Sequence, residues 1–414
     1  MNRNLKLLWS ANTLSVFGTA VYSLALTLLS IEYSQSALGA GAILFTSVIP
    51  YFFLGIIAGV ICDRVERKPL MLFCDILRGG LTLSIPIADA FGVLTIHQIV
   101  IIGFLMTCIR AFFFPANQAS VPLLIDDKKN LTKVNAYIGS TQNLGIMLGP
   151  SLGGVLLLFD FNVTQLLYID SATYFISAIL ISNIRFPKSA ELKEGSKKPT
   201  VLQDSWKGIK YMTVGNKEIL IMILAFSTQL LVGAGVIQLG IPKVLEEVNL
   251  GGTKTFGFVM SIIALSSMLS SLWLARRKVG EPARWIFSGY FVRGCAFFVL
   301  GFSGNIIGIG IAALLMGFGN TISGTTLTTV LQLRTPNEML GKVMAVRSSV
   351  GNIADAFAYL LLGSVLSTFS LTLAFTIVTI YVVVTTGAFY LLWRNYIHKK
   401  SIEQIKNNQY QLNS

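Results

Sequence analysis

The sequence predicts an all-α integral membrane protein, with twelve transmembrane helices arranged as two related six-helix halves. Three observations predict it. Charged residues make up 12% of the 414 residues and hydrophobic residues 53%, where a soluble domain carries about 25% charged residues. Apolar runs recur from Leu5 to Trp393, each near the roughly 20 residues that a helix needs to cross the hydrocarbon layer. The chain also resembles itself under a shift of half its length.

The spans fall at 7–31, 40–62, 70–89, 97–123, 134–158, 164–184, 218–241, 256–275, 285–303, 306–331, 342–367 and 370–393. Arg3 and Lys6 precede a first run to Ile31, which is long enough to stay as a span rather than be cleaved as a leader. With the N-terminus in the cytoplasm, 27 of the 32 Lys and Arg lie on the inner side, only Lys243 and Lys254 lie on outer loops, and Arg78, Arg110 and Arg293 lie inside spans. This positive-inside pattern predicts that both termini are cytoplasmic. It also accounts for the net charge of +13 without the nucleic-acid partner that such a charge would otherwise suggest.

A shift of 209 residues carries Leu131, Lys133, Val134 and Ala136 onto Leu340, Lys342, Val343 and Ala345, and Asn143 onto Asn352. The same shift carries Arg67-Lys68 onto Arg276-Arg277 and Gly154 onto Gly363. A parallel repeat of this kind implies two halves related by an axis along the membrane normal. The expected organisation is a six-helix half over 1–185, a cytoplasmic linker over 186–216, a second half over 217–395 and a cytoplasmic tail over 396–414. Within the linker, Leu202, Trp206, Ile209 and Met212 recur at helical spacing among Asp204, Lys207 and Lys210, which predicts a short interfacial helix.

Several classes are excluded. Cys62, Cys74, Cys108 and Cys295 sit in apolar segments without metal-ligand or paired spacing, and the histidines are only His97 and His398. No metal site, cofactor or nucleophile–base constellation is expected from them. No Gly-x4-Gly-Lys-Ser/Thr loop is present either, so ATP hydrolysis within the chain is not expected.

The loop after the second span reads Gly59-x3-Asp63-Arg64-x2-Arg67-Lys68. This is similar to the loop 2–3 signature of the major facilitator superfamily, with Glu66 where Gly is commoner. The fold so implied is the major facilitator fold, in a bacterial plasma membrane, and the resemblance makes Gly59, Asp63, Arg64, Arg67 and Lys68 part of a conformational gate. Asp63 would brace the start of the eleventh span, near Asn337–Lys342. The fifth span carries Gly145-x3-Gly149-Pro150-x2-Gly153-Gly154. Interior Gly and Pro cost a soluble helix about 1 and about 3 kcal/mol each, but in a membrane they permit close contact and bending. This run resembles the signature of exporters (antiporters) in the superfamily. Arg110-Ala-Phe-Phe-Phe-Pro115-Ala-Asn117-Gln118, with Cys74-Asp75-Ile-Leu-Arg78-Gly, resembles its macrolide-efflux and enterobactin-export branch.

Ionisable residues at membrane depth cost roughly 3 kcal/mol and mark function or a paired bridge. Asp75, Arg78, Arg110, Asp170, Arg293 and Asp355 qualify. Asp75 and Arg78 share one helix face and suit the cytoplasmic gate or a structural pair, whereas Asp170 suits packing or an outer bridge. Arg110, Arg293 and Asp355 lie nearest the midplane. Arg110 is the expected coupling or substrate residue by resemblance, since a permanent guanidinium can switch the proton affinity of a nearby carboxylate. Asp355 is the candidate proton site, with a structural ion pair to Arg293 or Arg110 as its alternative.

The resemblance therefore implies a monomeric secondary transporter that exports a small organic substrate, a siderophore or a hydrophobic antibiotic such as a macrolide, by proton antiport across the lipid bilayer. A lysophospholipid-flipping transporter and a transporter-like sensor that does not transport are the alternatives.

Overall fold

The structure is a computed structural model that describes residues 2–50, 53–54, 65–125, 141, 145, 153–157, 159, 161–186, 209–250, 252–276 and 281–412. Among these residues all regular structure is helical. The main helices are α1 (Arg3–Ser34), α2 (Ala37–Thr46), α3 (Arg67–Ala90), α4 (Ile96–Leu124), α5 (Leu166–Ser182), α6 (Lys217–Gly235), α7 (Ile241–Glu247), α8 (Gly252–Ala275), α9 (Pro282–Gly301), α10 (Ile306–Arg334), α11 (Asn337–Thr368) and α12 (Leu371–Leu412). A π-helical turn over Val236–Gly240 joins α6 to α7.

Four of the helix starts carry capping side chains. The Asn2, Ser36 and Asn305 side chains accept from Leu5, Gly39 and Gly308 N–H, and Thr95 with Gln98 forms a capping box at the start of α4. Each satisfies an amide that the first helical turn leaves unpaired. Inside the helices, hydroxyls bond back one turn, as Thr13 does to the Trp9 carbonyl and Ser30 to the Leu26 carbonyl. Polar side chains thereby enter an apolar environment with their donors satisfied. Among the described residues, eight helices are long and apolar enough to cross a membrane. Large apolar side chains such as Phe73, Ile101, Leu272 and Val384 are exposed, an arrangement suited to lipid rather than to water.

Boundaries differ most from the sequence expectation in three places. The seventh span runs through the π turn to Glu247. Helix α11 starts at Asn337, directly after Pro336, instead of at 342. Helix α12 continues to Leu412, because 394–412 contains no Gly or Pro to stop it. Gly59, Asp63, Arg64, Gly149, Pro150 and most of the expected interfacial helix lie outside the described residues.

The chain divides into two compact units. Unit 1 comprises Met1–Val201, Gly235–Ala264 and Tyr359–Thr368, and unit 2 comprises Leu202–Ala234, Leu265–Ala358 and Phe369–Ser414. In unit 1, α5 packs against both α1 and α3, around a core that includes Leu5, Leu8, Met71, Cys74, Phe113 and Ile181. In unit 2, α9 packs against α10 and α12. Gly289 lies against the Gly319 carbonyl and Gly301 against Phe375, so α9 touches backbone on one side and an aromatic ring on the other.

Each unit ties the start of one helix to two others. In unit 1 the Asn2 amide donates to the Leu124 carbonyl (2.7 Å) and the Asn4 amide to the Arg185 carbonyl (3.0 Å). In unit 2 the Glu218 carboxylate pairs with Arg334 and accepts from the Trp393 indole at 3.1 Å. Arg334 and Trp393 each lie one residue from where the repeat shift would place Leu124 and Arg185. The partner positions recur, whereas Glu218 lies five residues beyond where the shift would place Asn4, and an ion pair stands in for amide–carbonyl bonds.

Candidate functional site

The loop basic residues grip helix ends within unit 1. Arg67 Nη1 donates to the Ala119 carbonyl of α4 at 3.0 Å, and Lys68 Nζ donates to the Ser182 and Ile184 carbonyls at 2.7 and 2.8 Å. Cations at C-terminal helix ends meet unpaired carbonyls and the negative end of the helix dipole.

Deeper in unit 1, the three-residue spacing on α3 places Arg78 Nη2 on Asp75 Oδ1 as a buried ion pair. The guanidinium lies 4.2 Å from the Phe113 ring centroid and 4.4 Å from that of Tyr174, and Asp75 Oδ2 accepts from Ser177 at 2.7 Å. Arg78 is thereby packed between two aromatic faces, a favourable place for a desolvated guanidinium. Asp170 on α5 is fully buried beside this pair. Its Oδ2 accepts a long bond from Thr82 (3.4 Å), and its Oδ1 has no partner among the described residues.

Arg110 on α4 is exposed, as are Phe114 and Gln118, which follow it at four-residue intervals. These three form one stripe along the helix. Among the described residues Arg110 has no ion-pair partner.

The glycines of the fifth span make backbone-close contacts inside unit 1. A Cβ on Gly145 would strike Val16 and one on Gly153 would reach Leu24 at 2.6 Å, so both lie against α1. Gly154 lies against the Cα of Gly257 on α8. Around that contact, Thr27 donates to Gln238 Oε1, Leu38 N–H donates to Ser367 Oγ (3.1 Å), and Gly363 lies 2.7 Å from the Ala37 carbonyl by its absent Cβ. A seam of small residues thus joins parts of the two sequence halves, near the end of α1 remote from its N-terminus.

In unit 2, Arg293 on α9 is buried and donates through Nη2 to the Gln229 carbonyl, while its Nε has no partner among the described residues. Gly233 leaves room for it, since a Cβ there would meet the guanidinium at 3.1–3.3 Å. Asp355 on α11 lies within electrostatic reach of Arg293. Among the described residues it forms no salt bridge, and its Oδ1 is unpartnered. Two residues missed by sequence reasoning join this cluster. The Tyr290 hydroxyl is buried and unpartnered within reach of both arginines, and the Arg347 guanidinium lies 4.8 Å from the Phe226 ring centroid. Sequence counting assigned Arg347 to the cytoplasmic edge, and it lies five residues into the apolar stretch of α11 that begins at Lys342. Arg293 and Asp355 therefore share a cluster in unit 2, while Arg110 belongs to unit 1.

The sequence and the fold have counterparts among known proteins. A family model described as Major Facilitator Superfamily matches residues 8–359. Macrolide efflux protein A of Streptococcus pyogenes is 22% identical over 360 residues, spanning 84% of this chain and 85% of that protein. The staphyloferrin A transporter of Staphylococcus aureus is 24% identical over 349 residues, spanning 82% and 84%. Among solved structures, the nucleoside transporter NupG superposes with a TM-score of 0.69 at 14% identity, covering 95% of this chain and 99% of that one. At that identity the likeness concerns the fold.

Proposed function

The chain belongs to the major facilitator superfamily, and we propose that it exports a small organic molecule, a siderophore or a hydrophobic antibiotic such as a macrolide, by exchange for protons. It is a multi-pass membrane transporter and not an enzyme. The observation that carries the export reading is the contact of the fifth-span glycines with α1 and α8. Helices that touch through Gly154 and Gly257 can close against each other or part without repacking large side chains. Interfaces of that kind switch between discrete arrangements rather than deform. The outward direction takes its support from the likeness to the streptococcal macrolide efflux protein.

For coupling, the supporting feature is the unit 2 cluster, in which the Asp355 carboxyl has an unpartnered oxygen near Arg293. A carboxyl that gains and loses an arginine neighbour as helices move also gains and loses affinity for a proton. Arg110, with its exposed guanidinium, is the residue assigned to meet acceptor groups of the substrate. The gate comprises Gly59, Asp63, Arg64, Arg67, Lys68, Asp75 and Arg78, of which Arg67 and Lys68 hold helix ends. The working form is a single chain in the plasma membrane with both termini in the cytoplasm.

The test compares metabolites secreted by a deletion strain and its parent, together with macrolide accumulation in cells that do or do not express the chain. Loss of a secreted product, or lower accumulation on expression, supports the reading. Unchanged secretion together with unchanged accumulation refutes it.

A further inference from the structure

Unit 2 holds three buried hydrogen-bond donors that none of the described residues accepts from: the Tyr290 hydroxyl, Arg293 Nε and Arg347 Nε. Tyr290 and Arg293 lie three residues apart on α9 and so share a face. The two guanidinium groups dock on successive turns of α6. Arg293 Nη2 donates to the Gln229 carbonyl, in the room that Gly233 leaves, and Arg347 lies with its central carbon 4.8 Å from the Phe226 ring centroid. Gln229 is committed as well, since its amide donates to Thr385 and Thr386 at 3.1 and 3.3 Å.

The charges do not balance either. Arg347, Gly351 and Asp355 follow at four-residue intervals along one face of α11. That face is turned to α6, because a Cβ on Gly351 would lie 3.4 Å from Leu230 and 3.7 Å from Phe226. Two guanidinium groups therefore stand against one carboxylate, and among the described residues Asp355 forms no salt bridge with either. The cluster keeps a net positive charge. Buried donors are almost always paired and buried charges compensated. Water can accept from the donors, but it leaves the charge in place.

We propose that Tyr290, Arg293 and Arg347 form a binding site for a carboxylate group of the exported molecule. A guanidinium offers planar N–H pairs that match the two oxygens of a carboxylate, and Nε is the free donor on both arginines. The Tyr290 hydroxyl supplies a neutral donor beside them. One carboxylate brings the single negative charge that cancels the excess, whereas a phosphate monoester brings about two. Phe226 and Leu230 give the site an apolar wall on α6. That the ligand is cargo rests on the export reading above, whereas its binding does not. Among the cargoes named there, the site selects an acidic siderophore over a macrolide.

The experiment is arginine modification of the purified full chain in nanodiscs of zwitterionic lipid. Phenylglyoxal is the reagent, and the rate is read at each arginine by peptide mass spectrometry. Benzoate is the probe, benzamide its neutral counterpart and inorganic phosphate the competing anion. Benzoate slows modification of Arg347 along a saturating curve and leaves the exposed Arg284 unaffected, while benzamide protects neither. In Tyr290→Phe, half-protection needs about tenfold more benzoate, as for a lost hydrogen bond to a charged group. Absence of protection by benzoate overturns the proposal, as does equal protection by benzamide. An Arg347 that never reacts is closed to small molecules and overturns it too. Protection by phosphate alone overturns the carboxylate assignment. If Tyr290→Phe fails to fold, the parent chain decides alone; if it folds, an unchanged half-protection overturns the site. Binding is read without transport, so a failed export assay leaves these outcomes independent.

Discussion

Substituting Gly257 by Ala puts the seam under a defined load. The added Cβ meets the Cα of Gly154, and neither side can yield by rotating a side chain, because both contacts are backbone. The two helices must separate by a fraction of a van der Waals diameter, which in packed interiors costs about 1–3 kcal/mol. Alanine also raises helix propensity by about 1 kcal/mol. That gain applies whether the seam is closed or open, so it cancels in the equilibrium between them. The closed form therefore loses about 1–3 kcal/mol relative to the open form, a population shift of about 5–150-fold. Leu239, buried in the same unit beside Gly41, is a suitable reporter. In a background with the four native cysteines replaced by serine, Leu239→Cys is labelled with a membrane-impermeant maleimide with and without Gly257→Ala. The labelling rate rises by the same factor. An unchanged rate, with transport also unchanged, would mean that the Gly154–Gly257 contact is packing alone.

Three further outcomes are expected. Arg110→Ala abolishes export while the amount inserted in the membrane, read by immunoblot of washed membranes, stays at parental level; normal efflux by this variant removes Arg110 from the mechanism. Asp355→Asn flattens the dependence of transport on pH, and an unaltered pH profile in vesicles makes Asp355 structural. Glu218→Gln loses the ion pair with Arg334 but keeps an acceptor for Trp393. Arg334 is 42% exposed, so the loss is about 1 kcal/mol, as for a partly solvated pair, and is seen as a small fall in the Tm of detergent-solubilised protein.

Much of the fold was legible because a bilayer constrains sequence severely. Length, hydropathy and the placement of Lys and Arg carry the span pattern with little help from tertiary contacts. The Asp75–Arg78 pair was legible too, since three-residue spacing puts two side chains on one helix face. The partners of the fifth-span glycines were not. A glycine announces close approach without naming what approaches, and Gly154 meets Gly257 from the other half of the chain. Arg347 was hidden for a different reason. An arginine near a predicted cytoplasmic edge looks like topology charge, and only its place over the Phe226 ring and beside Tyr290 puts it in the cluster. Asp170 was visible as a membrane acid, but which carboxylate Arg78 chooses is a matter of three dimensions.

The central claim is outward transport in exchange for protons, and everted membrane vesicles test it most directly. Respiration acidifies their interior and quenches an acridine dye; adding a macrolide, or the secreted product found by strain comparison, lets protons leave as substrate enters. The account predicts dequenching in vesicles that contain the chain, none in vesicles without it, and none in those carrying Arg110→Ala. Substrate uptake with the proton gradient undisturbed would contradict proton exchange, and no uptake of either compound would contradict the export itself.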